Sequence, residues 1–363
     1  MAIWVLSALR PRRLKTTEGN LTPSITLIVV AHNEASRIRA RLENFLQLDY
    51  PEKRLEILLA SDGSTDRTVE NAQSIGSSLV RVIEFKTRRG KSAVLNDVVP
   101  IANGELVVFA DARQSFEAGV LRTMADVFMD PKVGAASGEL MLVESADRSE
   151  VKSGVGFYWR YEKFIRLHES RVDSTVGSTG AIYAIRKALF KPIPDSVILD
   201  DVLIPMRVVR QGYRAWFEPR ARAYDHGSNT MRREFQRKLR TIAGNFQLFY
   251  LEPWLLSPFV NRLWLQTVSH KLMRLLSPLL LCIAFIANLL VVGETFYGYV
   301  FAAQVVFYAA ALAGFLASRG KGAKRCPFYL NIPYTFCVLN AATIVAFFSL
   351  LAGRQRVTWN KTD

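Results

Sequence analysis

The chain has 363 residues, with 47 Lys and Arg against 32 Asp and Glu and a formal net charge of +15 at pH 7. This length predicts two structural units, or one enlarged α/β domain with an appendage. The basic residues are spread through every region and accompany long apolar stretches, so anionic lipid headgroups explain the charge better than a nucleic-acid partner does. The three cysteines have no metal-ligand spacing, which argues against a zinc site or a disulfide framework.

The first half of the chain alternates between strand and helix patterns. Helical spacing of apolar residues occurs at Ile38, Leu42 and Phe45, and a further helix is predicted over about 92–101. Four apolar runs have the length and composition of strands: Ile25–Val30, Leu55–Ala60, Val80–Phe85 and Glu105–Ala110. This alternation predicts an α/β domain with a mostly parallel central sheet and helices on both faces.

Polar loops directly follow three of the predicted strands, at residues 32–34, 62–66 and 111–113. Each loop alone is ordinary turn or helix-cap chemistry. Because ligands of such sheets bind beyond the carboxyl ends of the strands, acidic loops at one rim predict a site for a cation or a diphosphate. The basic turn Arg88–Lys91 suits a phosphate-bearing ligand or a solvated loop. Walker and Gly-x-Gly-x-x-Gly motifs are missing here, which argues against an ATPase and weakly against a dinucleotide enzyme.

Three apolar stretches in the last third are each close to the roughly 20 residues that cross a hydrocarbon core: Leu275–Gly293, Thr295–Ser318 and Pro333–Gly353. As buried core helices they would need an improbably large soluble core, so we expect them to span a membrane. The predicted organisation is an N-terminal interfacial segment at 1–22, the α/β domain at 23–253, an interfacial amphipathic region at 254–274, about three transmembrane helices at 275–353 and a tail at 354–363.

Basic residues predict the orientation of these helices. Arg319, Lys321, Lys324 and Arg325 follow the second stretch on the side of the α/β domain, and the positive-inside rule makes that side the cytoplasmic face of a plasma (inner) membrane. The third stretch then places the basic tail outside, which the rule disfavours. Either this stretch is re-entrant or the number of spans differs from three, and both alternatives stay open.

Four segments carry a resemblance to a known family: Val30–Glu34, Ser61–Asp66, Gly90–Asn96 and Phe109–Arg113. Their order resembles that of the inverting family 2 glycosyltransferases of the GT-A fold, in the membrane-bound branch of the cellulose, chitin, poly-N-acetylglucosamine and hyaluronan synthases. The resemblance runs from about Pro23 to the end of the apolar region. It implies a GT-A-type nucleotide-sugar-binding domain, a C-terminal α-helical transmembrane region, a nucleotide-sugar donor, with a UDP-sugar expected, and Mg²⁺ or Mn²⁺.

The resemblance assigns a set of donor-binding residues: Ala31, Asn33, Glu34, Asp62, Lys91, Asp111 and Arg113. Arg113 stands where the family has the second acidic residue of its Asp-x-Asp motif, so the cation does not follow from this motif alone. Either Arg113 neutralises the diphosphate directly, or Asp111 holds the cation with a more distant ligand. His226 is a candidate for that ligand, although a lone His is more often an ordinary hydrogen-bonding residue.

Two further segments resemble the acceptor end of the family's site. Val176–Ala184 is similar to a small-residue segment and places Gly180 beside the acceptor. Leu199–Val202 fits the family's Thr-Glu-Asp motif, which implies that Asp201 is the general base and that Asp200 lies on the acceptor side. Without these neighbours, the same acidic pair could simply begin a helix.

Arg237 and Arg240 fall where the synthases carry Gln-x-x-Arg-Trp. They lie three residues apart on a predicted helix, so both are assigned to the diphosphate leaving group. Solvated or membrane-facing charges are the alternative. The Gln and the Trp of the motif are replaced, which weakens the case for processive synthesis.

The resemblance therefore implies an inverting glycosyltransferase that moves a sugar from a nucleotide-sugar to a saccharide or lipid-linked acceptor at the bilayer, for example in cell-surface polysaccharide synthesis. Partner subunits of such synthesis are expected partners, and nucleic acid is not. Two alternatives stay open: a non-processive enzyme with a lipid acceptor, and a catalytically silent membrane subunit of a polysaccharide synthesis complex.

Overall fold

The computed structural model describes residues 7, 14, 22–143, 152–226, 231–319 and 327–353, without the side chains of residues 152–160, 226, 231–234, 319 and 328. The predicted tail and most of the basic loop after the second apolar stretch lie outside the described residues. The described chain forms two compact units. The first contains the residues up to 226 and Ser257–Trp264, and the second contains the described parts of Thr230–Leu256 and Leu265–Gln355.

The strands of the first unit are β1 Ile25–Ala31, β2 Leu55–Asp62, β3 Val80–Phe85, β4 Leu106–Ala110, β5 Ser115–Phe116, β6 Val133–Val143, β7 Ile182–Arg186 and β8 Arg214–His226. Its helices are α1 Ile38–Leu46, α2 Thr68–Gln73, α3 Lys91–Val98, α4 Val120–Val127, α5 Lys152–Val172 and α6 Asp200–Arg210. The helices that follow are α7 Met231–Leu251, α8 Trp264–Leu290, α9 Thr295–Arg319 and α10 Phe328–Leu351. Short 3₁₀ turns occupy Glu52–Arg54, Lys187–Leu189 and Pro253–Leu256, and α8 contains a π-helical turn at Thr267–Leu272.

Within the described residues, eight strands form one sheet in the order β3-β2-β1-β4-β7-β6-β8-β5. β3, β2, β1 and β4 run parallel, so their carboxyl ends share one edge. β7 pairs antiparallel with β4 and β6, β8 is parallel to β6, and β5 is antiparallel to β8. The predicted α/β fold is confirmed. The sheet is parallel over its first four strands and mixed beyond them, because the chain enters β7 from the edge at which β4 ends.

The core of the first unit explains why β1 is apolar along nearly its whole length. Leu27 and Ile28 point to opposite faces of β1, and both are buried. A strand covered on both faces needs an unbroken apolar run instead of alternation. Helix α1 adds Ile38, Leu42 and Phe45 to the cluster that contains Leu27. Each fully buried side chain of this kind contributes about 1.5–3 kcal/mol through the hydrophobic effect.

Three of the described helices are long and apolar enough to cross a membrane, judged by length and composition: Trp264–Leu290, Thr295–Ser318 and Tyr329–Leu351. The first begins at Trp264 and runs unbroken through residues that the sequence predicted to be a separate interfacial region. Side-chain hydrogen bonds link these helices. Ser277 donates to Asn340 Oδ1 at 2.7 Å, and Asn288 Nδ2 donates to Gln304 Oε1 at 2.8 Å. Such polar contacts hold helices together in a lipid environment.

Candidate active site

Strand register brings two distant loops together at the edge where the parallel strands end. Ala110 at the end of β4 pairs with Ile182 at the start of β7. Asp111, which follows β4, therefore lies at the point where residues 177–181 lead into β7. The Ser178 N–H donates to the main-chain oxygen of Asp201 at 2.8 Å, which ties this second loop to the first turn of α6. The candidate base and the candidate metal ligand thus share one rim.

The loop after β1 is locked to the loop after β2. Asn33 has a left-handed backbone with φ 54°, a conformation that Asn tolerates better than most residues. Its Oδ1 accepts the Thr65 N–H at 2.8 Å, and the Glu34 N–H donates to Thr68 Oγ1 at 2.8 Å. Ala31 is buried at the end of β1. These contacts give the predicted donor-binding loop a fixed shape.

Asp62 organises the basic turn before α3. Its two carboxylate oxygens accept the backbone N–H groups of Arg89 at 2.6 Å and Gly90 at 2.8 Å. The next residue, Gly63, has φ 62°, and a Cβ there would lie 2.5 Å from the Arg88 nitrogen. Only glycine permits this close approach of the two loops. Asp62 therefore positions the turn that presents Lys91 to the rim.

Lys91 joins carboxylates from two different elements. Its Nζ lies 3.1 Å from Asp111 Oδ1 and 3.3 Å from Asp200 Oδ2. Burial by itself lowers the pKa of the Lys91 ammonium, but the carboxylates of Asp111, Asp200 and Asp201 outweigh burial and raise the pKa well above its ordinary value. Lys91 is therefore a fixed positive charge at the rim at all physiological pH values.

The two adjacent acidic residues at the start of α6 have different surroundings. Asp200 is buried, and its Oδ2 accepts the Tyr183 hydroxyl at 2.9 Å in addition to facing Lys91. Burial, then the charges of Asp200 and Asp201, raise the pKa of the Tyr183 phenol well above its usual range, so this hydroxyl stays protonated and donates. The Asp200 carboxylate is therefore occupied by its contacts with Tyr183 and Lys91. Asp201 is less buried than Asp200.

Gly180 leaves a gap between two carboxylates. A Cβ built at this position would lie 3.3 Å from Asp201 Oδ2 and 3.6 Å from Asp111 Oδ2. A side chain at this position would therefore contact both carboxylates. The acceptor-side role of Gly180 stays a prediction.

Arg113 forms an ion pair and is therefore not an independent cation. Its guanidinium pairs with the buried carboxylate of Asp225 near the end of β8. Gln114 Nε2 donates to the same Asp225 oxygen at 3.2 Å. Within the described residues, Asp225 Oδ1, Arg113 Nε and Gln114 Oε1 are buried without a hydrogen-bond partner. Polar atoms in this state are commonly satisfied by ordered water or by a ligand.

The side chains at the rim suit one mode of binding a divalent cation. In the described part of the chain, no group of three or more His, Cys, Asp or Glu side chains is arranged to hold a metal ion. Asp111 offers a partly exposed carboxylate beside the gap, with 42% of its side chain exposed. Mg²⁺ and similar cations are often bound by one or two carboxylates together with substrate phosphates and water. The residues therefore fit a cation shared with a diphosphate, and they do not form an all-protein site.

The roles of three further predicted residues stay predictions. Arg237 and Arg240 lie on α7, which belongs to the second unit. Their role at the diphosphate stays a prediction. His226 ends β8, but its side chain lies outside the described residues, so its role as a ligand also stays a prediction.

Residues 26–191 match the family model described as "Glycosyl transferase family 2". This segment contains β1 to β7 and therefore the whole Lys91–Asp111–Gly180 cluster. Residues 26–191 form a family 2 glycosyltransferase domain. Asp200 and Asp201 lie beyond this segment in sequence and contact it through Lys91 and Ser178.

Similar proteins support this assignment of the glycosyltransferase domain. The β-monoglucosyldiacylglycerol synthase of Nostoc sp. is 32% identical over 131 residues, which are 35% of this chain and 28% of that protein. The poly-β-1,6-N-acetyl-D-glucosamine synthase of Staphylococcus epidermidis is 22% identical over 252 residues, which are 66% of this chain and 59% of that protein. This chain thus spans less than two thirds of either relative.

A solved structure has the same fold. The mannosyltransferase of Pyrobaculum calidifontis, in complex with GDP-Man and Mn²⁺, matches with a TM-score of 0.68 and 22% sequence identity. The match covers 98% of this chain and 94% of that chain. It confirms the GT-A-type fold of the glycosyltransferase domain with its C-terminal helical region.

Sequence reasoning missed two residues that shape the glycosyltransferase domain. Tyr183 lies inside β7 and is fully buried. Among apolar neighbours it resembles an ordinary core residue, so the sequence does not predict its hydrogen bond to Asp200. Asp225 precedes His226 in a strand, and nothing in the local sequence connects it with Arg113. The available signal for Asp225 was its place on the same strand face as the apolar residues Ala221 and Ala223, since buried carboxylates are rarely unpaired.

Proposed function

We propose that this protein transfers a sugar from a nucleotide-sugar donor to an acceptor hydroxyl at a membrane, with inversion at the anomeric carbon. The observation that carries the proposal is the gap at Gly180, which lies between the carboxylates of Asp111 and Asp201. The Asp111 carboxylate lies beside the fixed charge of Lys91 and faces the departing diphosphate. The Asp201 carboxylate faces the incoming hydroxyl.

In the proposed reaction, Asp201 Oδ2 accepts the proton of the acceptor hydroxyl. The hydroxyl oxygen forms a bond to the anomeric carbon as the bond from that carbon to the diphosphate oxygen breaks. The electron pair of the broken bond leaves with the nucleoside diphosphate. Asp200 does not take this role, because Tyr183 and Lys91 already occupy its Oδ2.

Negative charge grows on the leaving diphosphate, and preorganised positive charge stabilises it. Lys91 supplies part of this charge from its fixed place between Asp111 and Asp200. A bound Mg²⁺ or Mn²⁺ at Asp111 would add Lewis-acid stabilisation of the leaving group. Arg237 and Arg240 are proposed to assist from α7. The ion pair of Arg113 with Asp225 argues against direct neutralisation of the diphosphate by Arg113 alone.

The donor is proposed to bind with its nucleoside against the loop of Asn33 and Glu34 and near Asp62. A UDP-sugar is our first candidate. A GDP-sugar is the second, because the mannosyltransferase with the same fold is described in complex with GDP-Man and Mn²⁺.

The acceptor is proposed to be a saccharide or a lipid-linked sugar presented at the bilayer. The apolar helices over Trp264–Leu290, Thr295–Ser318 and Tyr329–Leu351 support a membrane location. We propose that the glycosyltransferase domain lies on the cytoplasmic side, and the basic residues around 319–325 of the sequence support this orientation. A polysaccharide product is favoured by the relative that makes poly-N-acetylglucosamine, and single addition to a lipid by the relative that makes glucosyldiacylglycerol. The replaced Gln and Trp beside Arg240 favour the second.

The test is release of nucleoside diphosphate by the full chain in lipid-supplemented detergent, with a panel of UDP- and GDP-sugars and with Mg²⁺, Mn²⁺ or chelator. We expect one donor to give metal-dependent release, and Asp201→Asn to lose at least 100-fold in kcat. Asp126→Asn, at an exposed position on α4, is the matched control and is expected to keep full activity.

Full release by Asp201→Asn would refute the assignment of the base. If no donor gives release from the wild type, the catalytically silent subunit becomes the better interpretation. The retained network of Lys91 with Asp111 and Asp200 argues against that interpretation, since a silent subunit has no need to keep these charges together.

A further inference from the structure

An arginine occupies the buried face of α1. Ile38, Leu42 and Phe45 form the apolar stripe of this helix, and Arg41 lies on the same stripe with only 3% of its surface exposed. Arginine is rarely buried to this extent unless its charge is paired, because removing an ion from water is costly. An apolar residue would pack at this position at a lower cost.

Two neighbouring aromatic rings, with centres 5.5 Å apart, lie against the guanidinium. The Arg41 Cζ lies 4.0 Å from the centre of the Phe45 ring and 4.1 Å from that of Phe116. Burial lowers the pKa of the guanidinium to about 9, and the nearby Asp111 carboxylate acts in the opposite direction. Arg41 therefore carries its charge at neutral pH, and cation–π contact offsets part of the cost of burying it.

Hydrogen bonds of Arg41 and of its partner Asn44 reach the first and last residues of the segment from Asp111 to Phe116. Its Nε–H donates to the main-chain oxygen of Asp111 at 3.1 Å, and its Nη1 donates to Asn44 Oδ1 at 3.0 Å. The same Asn44 side chain accepts the Phe116 N–H at 2.8 Å and donates to the Phe116 oxygen at 3.0 Å. The segment that begins with Asp111 is thus attached to α1 at both ends.

We propose that Arg41 is a positioning residue for Asp111. By holding the main-chain oxygen of Asp111 toward α1, Arg41 fixes the peptide from which the carboxylate extends toward Lys91 and the gap at Gly180. Helix α1 begins beside the proposed nucleoside loop, because the Glu34 oxygen accepts the Ile38 N–H at 2.9 Å. Arg41 thereby couples the shape of the nucleoside loop to the carboxylate that faces the cation and the diphosphate.

This inference rests on the proposed function, so its test measures ligand binding without turnover. UDP and GDP are each titrated into the full chain by calorimetry, with Mn²⁺ and without it. In the wild type we expect Mn²⁺ to increase the affinity for one of the two nucleotides. Arg41→Met keeps the apolar stem and removes every hydrogen bond, and we expect it to reduce this gain at least fivefold and to leave the metal-free affinity within about twofold.

Two further variants keep the result interpretable. Arg41→Lys retains the charge but cannot make both hydrogen bonds. We expect Mn²⁺ to increase its nucleotide affinity by less than in the wild type and by more than in Arg41→Met. If Arg41→Met does not fold, Arg41→Lys tests the positioning role in its place. Arg39→Met is the matched control, because Arg39 lies on the exposed face of the same helix and pairs with Glu43. We expect it to bind like the wild type.

The outcomes separate the two proposals. A folded Arg41→Met or Arg41→Lys that keeps the full Mn²⁺-dependent gain overturns the positioning role, since Arg41 would then serve stability only. Equal weakening with and without Mn²⁺ also overturns it, because a general loss of rim structure would explain that result. A wild type that binds neither nucleotide overturns the proposed function and the inference with it.

Discussion

Lys91 is the residue whose removal tests the charge arrangement of the rim most directly. Its Nζ stands 3.1 Å from Asp111 and 3.3 Å from Asp200, and 22% of its side chain is exposed. The change to test is Lys91→Met, which keeps most of the aliphatic stem and removes the charge. Two close carboxylates, one of them buried, are then left without their cation.

The expected loss of stability follows from this geometry. Removing one partner of a buried ion pair costs about 3–5 kcal/mol, and the partial exposure of Lys91 places it near the lower end, at about 3 kcal/mol. For a unit of this size, 1 kcal/mol corresponds to roughly 2–4 °C in Tm, so we expect Tm to fall by roughly 6–12 °C. Activity should fall at least 100-fold, because a fixed charge beside the leaving group is lost.

The pH dependence of this loss has a definite sign. The folded-state pKa of Lys91 is raised above its ordinary value of 10.5. Its stabilisation is therefore fully present below about pH 10.5 and is lost only as the pH rises through the folded-state pKa. We expect the difference in Tm between the wild type and Lys91→Met to be constant from about pH 6 to pH 9.

Thermal unfolding of the full chain in detergent, followed by intrinsic fluorescence, measures this effect. Lys86→Met changes an exposed lysine and is the control, with an expected change in Tm of less than about 2 °C. Adding Asp200→Asn to Lys91→Met should recover part of the loss, because it removes one of the uncompensated charges. A fall no larger than that of the control, or strictly additive losses in the double variant, would refute the reasoning.

Three other predictions concern single contacts. Gly180→Ala should reduce kcat at least tenfold with little change in Tm, because its Cβ enters the gap 3.3 Å from Asp201 Oδ2; near-normal kcat would mean that the gap is not the reaction site. Asn33→Ala should lower the free energy of unfolding by about 2 kcal/mol, because Ala loses a hydrogen bond and must adopt φ 54°. Asn33→Gly, which tolerates this φ, should lower it by only about 1 kcal/mol in denaturation curves. Equal losses in the two variants would contradict the backbone argument. Burial raises the pKa of Tyr50 from 10.0 to about 12, so the contribution of Tyr50 to stability should be lost as the pH rises between these values. The Tm of the wild type should therefore decline over this range, and Tyr50→Phe should make the decline smaller. An unchanged decline in Tyr50→Phe would exclude Tyr50 as its source.

Local sequence was sufficient for the first four strands, for the long apolar helices and for part of the rim. Largely apolar runs of strand length predicted β1 to β4, and apolar length predicted the helices able to span a membrane. The polar loops at Asn33, Asp62 and Asp111 were predicted at one edge because the carboxyl ends of parallel strands meet there. These inferences need only neighbouring residues.

Tertiary structure decided which of these groups act together. The antiparallel pairing of Ala110 with Ile182 brings Gly180 between Asp111 and Asp201, and no local pattern specifies that register. The partner of Arg113 is Asp225, far along the chain, and Arg41 is buried because two aromatic rings and a carbonyl oxygen meet it. The free energy of a charge depends on everything that surrounds it in three dimensions, so the role of a charged residue is decided only when distant parts of the chain pack against it.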